Sequence, residues 1–262
     1  MISVQRSKWI GFGLTDMGLV RKLNQDAFTL DNTLQLWVLA DGMGGHTGGE
    51  VASRIAVESI PPIVRTRLSL ESCQYVQPER MESILGEALE TANQAIRKEA
   101  AHIARLHGMG TTVVAVTIVR TPTADQAIVA HAGDSRAYLL RDGQLSLWTK
   151  DHSLVEERLA LKLITPDQVR THPLRHVLTK ALGIDPHVHP TIQTYPLDPS
   201  DCILLCSDGL TKMLTDPEIQ IIMVQEPSYS SSICRRLVAA ANRLGGEDNT
   251  TVVLINLESD ET

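Results

Sequence analysis

Residues 111–148 read TTVVAVTIVRTPTADQAIVAHAGDSRAYLLRDGQLSLW, and this stretch decides the fold class. Thr111 to Val119 is almost wholly apolar and β-branched, the pattern of a strand covered on both faces. Ala127 to Ala130, Arg136 to Leu140 and Gln144 to Trp148 are further strand-like runs divided by turn residues. Arg141-Asp142-Gly143-Gln144 joins the last two as a tight hairpin. Strands linked this closely run antiparallel, because a parallel pair needs a crossover of about a dozen residues or more.

The same texture recurs on both sides. Strand signals precede the stretch at Trp9 to Thr15, Asp26 to Asp31 and Leu34 to Ala40. They follow it at Val188 to Leu197, Ile203 to Cys206 and Asn249 to Leu257. Helical periodicity predicts Gly49 to Ile60, with Pro61-Pro62 disturbing its end. It also predicts Glu79 to Leu106, where Met81, Ile84, Leu85, Ala88, Leu89, Ala92, Ala95, Ile96, Ile103 and Ala104 follow a three-four spacing. Shorter helices are expected at Ser153 to Leu163, Thr165 to Thr171, Asp216 to Val224 and Ser231 to Leu244. Helices come in pairs rather than one per strand. The expectation is an α+β fold: two stacked, mostly antiparallel sheets flanked by helix pairs.

Hydrophobic residues make up 43% of the 262 and aromatics only 3%, so the core is aliphatic. A net charge of -7 and the absence of a long basic run give no support for a nucleic-acid or membrane-surface partner. No apolar run approaches the roughly 20 residues that span a bilayer. Met1 to Trp9 has no signal-peptide h-region, so a cytoplasmic protein is expected. The four cysteines, Cys73, Cys202, Cys206 and Cys234, have no framework spacing. They read as buried free thiols in a reducing compartment, with zinc binding as the alternative. No apolar stripe is left over for a partner copy, which predicts a monomer.

Four short acidic turns lie far apart at the edges of apolar runs: Ala40-Asp41-Gly42, Gly133-Asp134-Ser135, Ser207-Asp208-Gly209 and Glu247-Asp248-Asn249. Any one Asp-Gly pair is ordinary turn chemistry, and Asp142-Gly143 is read that way. Four carboxylates brought together by strand ends would repel and lose hydration, so they call for cations. Oxygen donors select magnesium, manganese or calcium over zinc. Asp41 opens the glycine-rich stretch Asp41-Gly42-Met43-Gly44-Gly45-His46-Thr47-Gly48-Gly49, where the Gly42 carbonyl is a candidate ligand beside the Asp41 carboxylate. The stretch lacks the Gly-Lys-Ser/Thr ending of a nucleotide-binding P-loop. Arg21, in Arg21-Lys22-Leu23-Asn24-Gln25-Asp26, supplies a guanidinium suited to phosphate oxygens.

Seven pieces in order resemble the metal-dependent serine/threonine protein phosphatases of the type-2C class, in their compact bacterial form. They are Thr15-Asp16-Met17-Gly18 with Arg21 to Asp26; Ala40 to His46; Gly108-Met109-Gly110-Thr111-Thr112; Ala132 to Arg136; Val177-Leu178-Thr179-Lys180-Ala181-Leu182-Gly183; Cys206 to Leu210; and Glu247 to Thr251. The resemblance spans Leu14 to Val253 and implies a four-layer α-β-β-α sandwich forming one catalytic domain over residues 1–262. A mobile flap is implied at about 150–183.

The resemblance also implies roles. Asp41 would bridge two manganese or magnesium ions, with the Gly42 carbonyl on one and Asp208 and Asp248 on the other. Asp134, with Asp208, would hold a weaker third ion. Arg21 would bind the substrate phosphate and Asp26 would orient water from behind the ions. A metal-bridging hydroxide would attack phosphoserine or phosphothreonine of a protein substrate, in a signalling role opposing kinases. Animal relatives carry an acidic residue where Gln25 stands and a histidine where Met43 stands. His46 is therefore the candidate proton donor to the leaving alkoxide. No cysteine has arginine six places later, so the cysteine-phosphatase loop is absent. A catalytically silent binding module and a general small-molecule phosphoesterase are the rival readings.

Overall fold

Side chains along most strands alternate between two different apolar layers. In Leu36-Trp37-Val38-Leu39-Ala40, for example, Leu36, Val38 and Ala40 face a helix layer while Trp37 and Leu39 face a second sheet. This is why the runs read as continuously apolar: both faces are covered. The computed structural model describes residues 8–45, 47–70, 76–169, 171–225 and 231–258. Cys73 lies outside the described residues.

In chain order the strands are β1 (Trp9–Asp16), β2 (Asp26–Asp31), β3 (Leu36–Met43), β4 (Gly110–Thr111), β5 (Val113–Arg120), β6 (Asp125–Ala132), β7 (Arg136–Arg141), β8 (Gln144–Leu147), β9 (Thr191–Pro196), β10 (Cys202–Cys206) and β11 (Thr250–Leu257). The helices are α1 (Gly48–Ser69), α2 (Pro78–His102), α3 (Leu154–Ala160), α4 (Pro166–Val169), α5 (Asp208–Met213), α6 (Asp216–Val224) and α7 (Ser231–Arg243). One sheet has the order β1-β11-β10-β7-β8 and the other β2-β3-β5-β6-β9, with β4 paired to β3. Every ladder is antiparallel.

Three apolar clusters make the four layers. Leu85, Leu89 and Ile96 of α2, with Ile60 and Val64 of α1, cover the second sheet. Trp9, Trp37, Val116, Ile203 and Val253 lie between the sheets. Leu210, Ile219 and Leu237 of α5, α6 and α7 cover the first sheet, over Cys206 and Leu254. With so few aromatics, the large rings do specific filling. The Trp37 indole occupies the space over Gly11, where a Cβ would meet the ring at 2.2 Å. Its N–H donates to Asn32 Oδ1 at 2.8 Å.

Three departures from the sequence reading have clear causes. Helix α1 continues through Pro61 and Pro62 to Ser69, because Ile60 and Val64 are fully buried against α2. That packing outweighs the missing proline hydrogen bonds. Strand β3 continues through Asp41 to Met43, because Gly42 pairs with Thr111 of β4. Asp208 begins a short helix, α5, rather than a turn. The Asp142-Gly143 hairpin is as expected, with φ of 50° and 75° and Arg141 opposite Gln144.

Residues 148–190 connect β8 to β9 and carry α3 and α4. Their return is fixed by side-chain and backbone bonds. Leu154 N donates to Val177 O and Thr179 N to His152 O, both at 2.8 Å. Asn93, buried on the apolar face of α2, accepts from Gly183 N at 2.7 Å. Among the described residues no helix is long and apolar enough to cross a membrane.

Candidate metal centre

The pairing of β2 with β3 puts Asp26 directly opposite Asp41. Opposed residues of an antiparallel pair share a face, so two carboxylates are held side by side, an arrangement that is unfavourable without compensation. Asp26 Oδ2 accepts from Ser207 Oγ at 2.8 Å and from Thr251 Oγ1 at 2.7 Å. Its other oxygen, Oδ1, is buried with no partner among the described residues. Burial raises the Asp26 pKa to about 6; the two hydroxyls oppose this, and Asp208 and Asp248 add to it.

Asp41 is held by its backbone. Its N–H donates to Thr112 Oγ1, and its carbonyl accepts from Thr112 N and Thr111 Oγ1. Burial raises its carboxyl well above the usual range, and the charges of Asp26, Asp208, Asp134 and Asp248 push it further. Gly42 follows, its N–H on Gln25 O at 3.0 Å. A Cβ there would meet Gly49 O at 2.1 Å, so no larger residue fits.

Asp134 comes from the β6–β7 turn, where Gly133 adopts φ 114°. Burial raises the Asp134 pKa to about 7, with Asp208 and Asp151 adding to it and Lys212 opposing. Asp208 stands at the start of α5, after β10. Its Oδ1 is buried without a partner and its Oδ2 meets Lys212 Nζ at 2.5 Å.

Asp248 precedes β11. It receives Arg21 Nε at 2.8 Å, Arg21 Nη2 at 2.9 Å and Lys212 Nζ at 2.8 Å. Burial works against its charged form, but Lys212, Arg21 and the Asn249 N–H outweigh it and hold its pKa below the usual range. The Asn249 side chain fixes the loop that carries Arg21: it accepts from Gln25 N and donates to Met17 O and Leu23 O.

Arg21, Asp41, Gly42, Asp134, Asp208 and Asp248 thus line one cavity of about 390 Å³. Asp26 sits behind it, fixed by groups from the opposite sheet. His46 lies outside the described residues. Sequence reasoning missed five contributors: Lys212, the Asn249 amide, the Ser207 and Thr251 hydroxyls, and His176, which lines the cavity from the segment before β9. Lys212 needed the helical i,i+4 relation to Asp208, which a turn does not provide. The Arg21 loop also exposes Leu19 and Val20, 69% and 64% accessible, so some apolar surface is left over after all.

Among the described residues, no three carboxylate, imidazole or thiolate groups stand at ligating distance about a single point. Lys212 occupies the space between two of the carboxylates instead. The fit to divalent cations rests on other features. Four half-buried aspartates line the cavity and Asp26 is buried behind them, against only two cationic side chains, Arg21 and Lys212. Two carboxylate oxygens are buried without partners. Every donor is oxygen, as hard ions require. Among the described residues the cysteines do not contribute: Cys202, Cys206 and Cys234 lie in the layer between the first sheet and its helices.

The family model for protein phosphatase 2C matches residues 20–245. A serine/threonine phosphatase stp of Listeria monocytogenes is 35% identical over 244 residues, covering 92% of this chain and 93% of that protein. The Mycobacterium tuberculosis serine/threonine phosphatase PstP/Ppp superposes with a TM-score of 0.81 at 34% identity, over 96% of this chain and 100% of the other. The catalytic domain of the serine/threonine protein phosphatase PstP in complex with 2 manganese ions gives 0.81 at 32% identity, over 97% and 100%.

Proposed function

Because the chain belongs to the protein phosphatase 2C family and is a serine/threonine protein phosphatase, we propose that it hydrolyses phosphoserine and phosphothreonine with divalent ions held in the aspartate-lined cavity. Asp41, the Gly42 carbonyl, Asp208 and Asp248 are assigned to a core pair of manganese or magnesium ions. Asp134, with Asp208, is assigned to a weaker third. Such ions supply Lewis acidity and water ionised near neutral pH.

The remaining chemistry belongs to the chain. Arg21 is 51% exposed at the cavity mouth and presents a planar fork of donors to the phosphoryl oxygens. Asp26, immobilised by Ser207 and Thr251, orients water from behind the ligands. His46 donates the proton that the leaving serine or threonine oxygen needs. Water attacks phosphorus directly and no covalent enzyme intermediate forms. Consistent with this, burial pushes the Cys206 thiol up to about 12 and that of Cys234 to about 11, which makes them poor nucleophiles. The segment at about 150–183 is assigned as a flap bordering the site, within one catalytic domain. A cytoplasmic monomer opposing serine/threonine kinases is the cellular role we assign.

The observation that carries this reading is the meeting of Asp41, Asp134, Asp208 and Asp248 with Arg21 around one cavity, from loops and strands of both sheets. The test is phosphopeptide hydrolysis with manganese, with magnesium and with chelator, beside a sugar phosphate of equal concentration. Manganese-dependent turnover of the phosphopeptide is expected. Full turnover in chelator would overturn the metal assignment, and preference for the sugar phosphate would overturn the substrate class.

A further inference from the structure

Lys212 is the side chain that the metal assignment leaves unexplained. Its ammonium bridges Asp208 Oδ2 at 2.5 Å and Asp248 Oδ2 at 2.8 Å. These are two of the carboxylates assigned above to one ion. The bridge is built in by the backbone. Asp208 and Lys212 are one turn apart on α5, so their side chains lie on the same helix face. Leu210 and Leu214, on the other side, are buried in the core and fix the helix rotation. Gly209 presses α5 against the loop that carries Asp248: a Cβ there would meet Asn249 O at 2.0 Å. Helix rotation and this close approach therefore set Asp208, Lys212 and Asp248 within reach of one another, while the lysine side chain itself keeps its rotamer freedom.

Two carboxylates that share an ammonium have their charge neutralised without a metal. A divalent ion binding the same oxygens has to remove that ammonium or accept it as a close neighbour of like charge. The cavity next to the centre offers a destination. It has a volume of about 320 Å³ and borders the centre through Asp134, Asp208 and Lys212 itself. It is lined by Asp151, Glu156 and Glu247 as well as by Arg136 and Arg175, so carboxylates are at hand for the displaced ammonium.

We propose that Lys212 is an internal competitor for the divalent ion held by Asp208 and Asp248, capping the pair in the ion-free enzyme and raising the ion concentration needed to load the site. The inference rests on the metal reading above and adds a positioning role for a residue of this chain. Lys212 is not a catalytic residue in this scheme. It sets how readily the centre fills, and it keeps the empty centre from repelling itself apart.

The test is calorimetric titration of manganese into metal-stripped full-length protein, in the wild type and in Lys212→Met, Lys212→Gln and Lys212→Arg. Removing a cation from contact with the ligands is expected to tighten manganese binding about tenfold in the two neutral variants, with Lys212→Arg staying near wild type. The melting temperature of the stripped protein should fall in the neutral variants, while that of the manganese-saturated protein should not. Two neutral variants guard against one of them misfolding, with circular dichroism as the check. Manganese affinity unchanged or weakened in both folded neutral variants would overturn the proposal. So would a raised KM for phosphopeptide at unchanged manganese affinity, which would place Lys212 on the substrate. If wild type binds manganese and Asp208→Asn does not, the metal reading stands whatever Lys212 does. If wild type takes up none, both fall.

Discussion

Ser207 donates a hydrogen bond of 2.8 Å to Asp26, joining residues 181 positions apart and fastening the end of β10 in one sheet to the start of β2 in the other. Thr251 does the same at 2.7 Å from β11. The carboxylate behind the candidate centre is therefore oriented wholly by the facing sheet. Ser207→Ala and Thr251→Val should each lower stability by about 1–3 kcal/mol, the range for leaving a buried polar group without its partner. Each should also lower phosphopeptide turnover about 10- to 100-fold. Urea unfolding and steady-state kinetics measure the two effects; unchanged turnover would remove Asp26 from the chemistry.

Asp208→Asn tests the ligand assignment most directly. It is expected to abolish one manganese-binding step in calorimetry. Turnover should fall about a thousandfold, since several kcal/mol of transition-state stabilisation go with the ion. A variant with normal manganese binding would show that Asp208 is only the partner of Lys212.

Arg21 separates binding from turnover. Arg21→Ala should raise the phosphopeptide KM about tenfold with a smaller change in kcat, and Arg21→Lys should recover only part of it because a lysine cannot make the paired contact. The reverse pattern, a fall in kcat at constant KM, would place Arg21 away from the bound phosphate.

The stripped protein should lose stability as pH rises. Asp26 and Asp134 hold protons in the folded state up to about pH 6 and about pH 7, whereas an unfolded aspartate releases its proton near pH 3.8. Their contribution is fully present below that lower value and is lost on passing through the higher ones. In chelator the melting temperature should therefore fall by several degrees between about pH 5 and pH 7.5. The fall should be shallower in Asp134→Asn. Saturating manganese should reverse the trend, because binding releases protons. A flat profile in chelator would mean the carboxylates are already compensated.

Gly209→Ala should separate α5 from the 247–249 loop, since the new methyl would sit 2.0 Å from Asn249 O. Overpacking of this kind costs about 1–3 kcal/mol. Manganese affinity should drop with it, as Asp208 and Asp248 move apart. Calorimetry and thermal melts report both.

Much of the architecture was legible because burial on two faces leaves a plain imprint. Thr111 to Val119 reads as a covered strand, and Met81 to Ile96 as one face of a helix. The aspartates were legible too, since each ends or interrupts an apolar run. What escaped depends on contacts between distant segments. Pro61-Pro62 looks like a stop until Ile60 and Val64 are seen buried against α2. Gly42 looks like a turn until it pairs with Thr111. Asn93 is a polar residue on an apolar face, and its partners, Gly183, Asp185 and Pro186, lie about 90 positions away. Helix α5 is six residues long, too short to show a period. With it went Lys212, whose meaning depends on the helix and on a loop 36 positions further along.

Strand β11, described above as lying between β1 and β10, has a bearing on the birth of the molecule. It follows every other described strand, yet both neighbours wait for it, and Asp248 and Thr251 arrive with it. A chain still emerging from the ribosome therefore has no half-working centre: Asp26 lacks one of its two donors and Asp208 lacks its companion. Nascent protein should stay inert until that last strand is threaded into place, so premature stops upstream of it should yield silence rather than reduced activity.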